Sequence, residues 1–306
     1  MTTPMSTTRR TGIVLALGTA AISGVAVFLN ADAVRAFGDA TAYTTAKNLV
    51  AAVVLLAVVG TGSRTGARLT RPRSRGQWAG LTAIGVVGGS VPFVLFFEGL
   101  SRATSAQAAF LHKTLLVWVA VMAVLFLGER LSVLHYLAIG LLVVGQIGLI
   151  GGLGGFGRPE LMILAATLLW SVEVVVAKRI LAGVSSWTVG VARMGLGSVV
   201  LLVWVAVRGD LGLLTGMTGE QAGWVLLTGV LLAGYVGTWF GALKRAPAVD
   251  VTAVLVLAAP VTAALNAVAD GVPLGPQLDW LAVLVAGGAL AVWASQRTRP
   301  APVVAA

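Results

Sequence analysis

Runs of about 20 apolar residues, separated by short polar breaks, recur from one end of the chain to the other. At about 1.5 Å per residue, a helix of that length matches a hydrocarbon core about 30 Å thick. Ten such spans are read, near 12–31, 41–60, 77–98, 103–127, 131–151, 160–181, 187–207, 220–241, 248–269 and 277–295. Only the connections 61–76 and 208–219 are long enough to carry anything of their own, so no soluble domain is expected beside the bundle. The pattern predicts an all-α polytopic membrane protein.

The pattern also repeats. Moving the stretch 98–150 forward by 143 positions lays Leu100 on Leu243, Arg102 on Arg245, Ala103 on Ala246, Ala120 on Ala263, Gly128 on Gly271, Leu131 on Leu274, Leu141 on Leu284 and Gly145 on Gly288. A shift of 146 lays Ala46-Lys47 on Ala192-Arg193 and Val53 to Leu56 on Val199 to Leu202. Two units follow, 1–152 and 153–306, with the glycine run 151–157 as the joint between them. Five spans per unit is an odd number, so the second unit enters from the opposite side. That is an inverted-topology repeat, the plan many secondary transporters use around a site near the bilayer midplane. Because Leu, Val and Ala dominate everywhere, chance composition is the competing explanation.

Composition agrees with the membrane reading: 58% of residues are hydrophobic, 10% are charged, and the mean hydropathy is +0.96. Such values lie far from those of soluble domains. The net charge of +10 sits in short loops and forms no basic domain, so it reads as membrane orientation and not as nucleic-acid binding. Fourteen Lys and Arg residues fall on the side that holds both termini and four (Arg35, Arg102, Arg158, Arg208) on the other. The positive-inside rule then places both termini in the cytoplasm. The remaining three cations, Lys47, Lys113 and Arg193, lie inside spans. Arg9-Arg10, the apolar run 12–29 and Ala31-Asp32-Ala33 imitate a cleavable signal peptide, but the run is longer than a signal core and its loss would remove the first helix of the first unit. No cysteine is present, which excludes disulfides and thiolate chemistry.

Several motifs carry a family resemblance: Ala166, Trp170 and Ser171 with Lys178 seven residues on, the pair Ala192-Arg193 early in the next span, and the junction Phe126-Leu127-Gly128-Glu129-Arg130-Leu131. With ten spans in a five-plus-five repeat, the chain resembles the drug/metabolite transporter superfamily, specifically its EamA-type exporters, and within them the YddG-type amino-acid exporters. The second junction, Asp270-Gly271-Val272-Pro273-Leu274, keeps the glycine and leucine but has no glutamate. The resemblance implies export across a bacterial-type inner membrane.

The polar residues inside spans are the candidate chemistry. Lys113 lies about ten residues into its span, roughly half the core depth, and an ionisable group there is a functional hypothesis by default. Phe110, Lys113 and Thr114 share a helix face, so ring, cation and hydroxyl are expected to meet a substrate together. The alternative is a lysine paired at a helix crossing. His112 points about 100° away, as a proton shuttle or a donor to a neighbouring helix. Trp170 and Glu173 share a face of the sixth span. Glu173 has three open roles: receiving an ammonium, carrying a coupling proton, or neutralising Lys113 or Arg193. Trp170, and Tyr235 with Trp239 four residues on, offer aromatic surfaces for a substrate or simple packing. Lys47 and Arg193 occupy equivalent repeat positions, as gate or coupling residues, as helix-packing pairs, or as ligand contacts. Pro92 and Pro260 are expected to kink their spans, next to Gly88-Gly89 and before Asn266, as gate hinges or as ordinary transmembrane prolines.

The expected function is secondary transport that exports small metabolites, foremost apolar, aromatic or other neutral amino acids, by alternating access around a midplane cavity. Export of amphiphilic cations or drugs is the alternative. No Gly-x-x-x-x-Gly-Lys-Ser/Thr loop supports an ATP-driven pump. Two histidines 23 positions apart, His112 and His135, make no metal pattern, so an enzyme is not expected, nor any cofactor or metal. The expected partners are the bilayer and a small-molecule substrate, with no nucleic acid, and the chain is expected to work as a monomer.

Overall fold

The computed structural model describes residues 6–62, 66–103, 105–150, 156–269, 271 and 274–297. These residues form helices and loops without a strand. In order they are α1 (Thr7–Phe37), α2 (Ala40–Gly60), α3 (Arg75–Ala83), a π-helical turn (Ile84–Gly88), α4 (Val91–Leu100), α5 (Ser105–Lys113) and α6 (Leu115–Leu127). Then follow α7 (Val133–Ile150), α8 (Arg158–Ile180), α9 (Ser186–Val207), the short α10 (Leu211–Thr215), α11 (Gly219–Arg245), α12 (Ala248–Leu255), α13 (Ala258–Ala269) and α14 (Leu278–Arg297). Among the described residues nine helical stretches are long and apolar enough to cross a membrane. The tenth expected span is a shorter apolar helix, Val133–Leu149, near the lower length limit for a crossing.

Local chemistry sets the boundaries. The Ser6 hydroxyl accepts from the Arg9 amide to start α1, Asp39 accepts from Ala42 N–H at 2.7 Å to start α2, and Thr218 with Gln221 forms a capping box at α11. Helix α6 stops at Gly128, whose φ of 65° is open to glycine at little cost. Gly271, 143 positions later, has a φ of 66°. The shift read from residue identities thus recurs in the backbone.

Three expected spans are broken. The third turns through the π segment and Gly89-Ser90 before α4 begins. The fourth breaks at Thr114, between α5 and α6, and the ninth at 256–257, between α12 and α13. These last two breaks also correspond at a shift of 143, since Leu115 opens α6 and Ala258 opens α13. Apolarity alone reads such pairs as continuous, because it registers membrane depth and not the hydrogen-bond ladder. Pro92 and Pro260 each follow a break and lie in the first turn of a half-helix, where the missing N–H leaves no ladder bond unmade.

Helix α1 runs against α11 and α13, α2 packs on α9 and α11, and α8 lies against α4 and α6. Helices α7 and α14 form a close pair, with Gly145 against Leu284, Gly148 against the Trp280 ring and Gly287 against Leu142. The Arg9 Nε donates to Ser295 Oγ at 3.0 Å, so the start of α1 and the end of α14 meet at one end of the bundle, here the terminal end. The sequence-level joint lies outside the described residues up to position 155, as do Asp270, Val272 and Pro273 of the second junction.

Candidate functional site

A cavity with about 800 Å³ of empty space, its mouth included, occupies the middle of the bundle. Helix α1 contributes Ser23, Val27 and Asn30; α2 contributes Lys47; α4 contributes Phe93, Phe96 and Phe97; α5 contributes His112. Helix α8 adds Trp170 and Glu173, α9 adds Arg193, and α11 adds Thr228, Leu232, Tyr235 and Trp239.

The broken third span builds one wall. Its released carbonyls find side-chain donors: Trp170 Nε1 donates to Gly88 O at 3.1 Å and Asn48 Nδ2 to Gly89 O at 3.2 Å. This is how non-helical backbone persists inside a membrane protein. The glycines are required sterically. A Cβ on Gly88 would fall 2.1 Å from Glu173 Cδ, and one on Gly89 would fall 2.1 Å from Arg193 O.

Glu173 and Arg193 form a two-point ion pair. Arg193 Nε donates to Oε1 at 2.5 Å and an Nη to Oε2 at 3.1 Å. Both side chains are buried, and the paired geometry offsets a desolvation cost that either charge alone would bear in full. Of the three roles open to Glu173, the structure places it against Arg193. Lys47 is arranged differently. Its Nζ donates to Asn30 Oδ1 at 3.1 Å and sits 3.9 Å from the Phe97 ring centroid, with Tyr43 at 5.0 Å and Phe93 at 5.8 Å. Asn30 Oδ1 also accepts from Tyr43 OH at 2.5 Å.

The remaining wall is aromatic. Trp170 meets Phe93 edge-on at 5.4 Å and His112 at 5.0 Å, Phe96 meets His112 at 5.3 Å, and Tyr235 stacks on Trp239 at 5.9 Å. The expected wall of Phe110, Lys113 and Thr114 lies off this cavity. Phe110 packs with Ala108, Leu111 and Ile163. Thr114 Oγ1 donates to Leu111 O at 2.6 Å, and Lys113 Nζ is buried with no hydrogen-bond partner among the described residues. His112 faces the cavity instead. The spacing of side chains within α5 was legible, but the rotation of α5 about its axis is fixed by packing on α8 and was not.

Past the ion pair, the terminal end is closed by a second polar network. Arg9 Nη donates to Asp250 Oδ2 at 2.8 Å, and His135 Nε2 lies 3.2 Å from Asp250 Oδ1. Glu129 accepts from the N–H groups of Ala248 at 2.7 Å and Val249 at 3.2 Å, closing the start of α12. Lys178 Nζ donates to the carbonyls of Leu243 and Ala246, each at 2.6 Å, closing the end of α11. Sequence reasoning passed over Asp250 because an acid in a helix's first turn reads as an ordinary dipole partner. Asn30 lay near a span end and drew no notice.

A family model, the EamA-like transporter family, matches residues 10–151 and 157–294. The chain belongs to the EamA-like transporter family. It is thereby a multi-pass membrane protein of a family that transports small molecules, and its two matched segments are the two repeats. A solved structure described as "Crystal structure of protein" superposes with a TM-score of 0.74 at 20% identity, over 94% of this chain and 98% of that one, which is a likeness of fold. A search of curated proteins finds no match.

Proposed function

We propose that this EamA-like chain is a secondary transporter of the bacterial-type cytoplasmic membrane that exports small metabolites, foremost apolar or aromatic amino acids, by alternating access. The observation that carries the reading is an aromatic-walled cavity with one cation from each repeat, Lys47 and Arg193, in a bundle whose helix ends are tied together at one end by a polar network. The direction of net transport rests on the family resemblance. The drug-exporter alternative is less favoured, because among the described residues the only acid on the cavity wall, Glu173, is already held by Arg193.

The test is counterflow in reconstituted liposomes, with and without a pH gradient, using a panel of amino acids and amphiphilic cations. Uptake of labelled aromatic amino acid into preloaded vesicles is expected. A panel in which nothing exchanges would remove the transporter reading, and exchange of amphiphilic cations alone would replace it with the alternative.

A further inference from the structure

We propose that Lys47 is the carboxylate-recognition group of the cavity, which therefore selects small monoanionic carboxylates with an aromatic or apolar body and leaves an amino group unrecognised. This deepens the transporter reading and rests on it. The repeat places a cation at two related positions, Lys47 and Arg193, 146 residues apart. Only one has an acid. Arg193 takes both oxygens of Glu173, whereas the position 146 residues before Glu173 is Val27, also on the cavity wall. Among the described residues no carboxylate lies within ion-pair distance of Lys47. Its one hydrogen-bond acceptor is Asn30 Oδ1, which Tyr43 OH shares, and its other neighbours are ring faces.

An ammonium group taken from water into such a setting lacks the counter-charge that makes burial tolerable. An occupant bearing a carboxylate supplies it through a charge-assisted hydrogen bond. With Glu173 and Arg193 cancelling, Lys47 is the basic group on the described wall that an incoming carboxylate can pair with, which matches a monoanion. An incoming ammonium finds no free acid. The apolar body of the occupant has the Trp170 face and the Tyr235–Trp239 stack to lie against.

Three probes with one phenyl body separate the possibilities: 3-phenylpropanoate, phenylalanine and 2-phenylethylammonium, titrated calorimetrically into the full chain in nanodiscs. The expected result is that 3-phenylpropanoate binds at least as tightly as phenylalanine and 2-phenylethylammonium gives no binding heat. Lys47→Gln is expected to weaken 3-phenylpropanoate at least tenfold, with partial recovery in Lys47→Arg. The inference is overturned if 2-phenylethylammonium binds tightest, if phenylalanine binds tenfold tighter than its deaminated analogue, if no probe binds, or if Lys47→Gln binds like the native chain. The wild-type ranking needs no variant to fold. Liposome counterflow separates the two readings. Normal 3-phenylpropanoate binding without exchange of any probe removes the transporter and keeps Lys47, while amino-acid exchange indifferent to Lys47→Gln does the reverse.

Discussion

At the scale of single residues, the cavity depends on a buried charge pair held against a glycine. Removing one member of such a pair leaves an uncompensated charge, which costs about 3–5 kcal/mol. Glu173→Gln and Arg193→Gln are each expected to lower thermal stability in detergent by that order, while the double variant recovers part of the loss because neither charge remains. Strictly additive losses would mean the pair is not coupled. Gly88→Ala is expected to abolish counterflow, since its Cβ would fall 2.1 Å from Glu173 Cδ, whose carboxylate is held on both oxygens by Arg193. A Gly88→Ala protein with native counterflow and native Tm would show that the carboxylate has room to move.

At the scale of elements, the terminal end is closed where helix ends meet: α12 begins on Glu129, α11 ends on Lys178, and α1 is tied to α12 through Arg9 and Asp250. Asp250→Asn removes the charge that Arg9 and His135 face and is expected to open that end. The natural absence of cysteine makes this measurable with Ser23→Cys on the cavity wall. An impermeant maleimide added from the terminal side should reach this cysteine faster in the Asp250→Asn background than without it. Equal rates would assign the closure to packing instead. Glu129 adds a pH dependence. Burial raises its pKa above the ordinary 4.5, against the lowering effect of the Ala248 and Val249 amides and Lys178. A raised carboxyl pKa means the fold holds the proton more tightly than the unfolded chain does. Stability from this group is therefore fully present below about pH 4.5 and is lost as pH rises through the raised value. Glu129→Gln is expected to flatten that part of a Tm-against-pH curve, and an unchanged slope would place its origin elsewhere.

At the scale of the whole molecule, the start of α1 and the end of α14 lie at one end of the bundle, because Arg9 and Ser295 touch. Single cysteines at Ser6 and Arg297 are expected to react with an impermeant reagent from the same side of the membrane, and from the cytoplasmic side if the charge bias orients the chain. Labelling from opposite faces would contradict the contact. Labelling of both from outside would keep the fold and reverse its orientation.

The sequence by itself determined the helical membrane class and the repeat, because apolar length and the recurrence of residue types are one-dimensional properties. It marked Gly128 and Gly271 as equivalent, and both adopt positive φ. It also named Lys47, His112, Trp170, Glu173, Arg193, Tyr235 and Trp239, all of which line the cavity. Tertiary structure alone decided the rest. Whether α5 turns His112 or Lys113 toward the cavity is a rotation about a helix axis, set by packing and invisible to spacing. The break at Gly88-Gly89 depends on Trp170 and Asn48, which are distant in the chain. The partnering of charges was likewise a matter of approach in space: Arg193 meets Glu173 across 20 positions, and Lys47, at the matching place in the other repeat, meets Asn30 and the rings of Tyr43, Phe93 and Phe97.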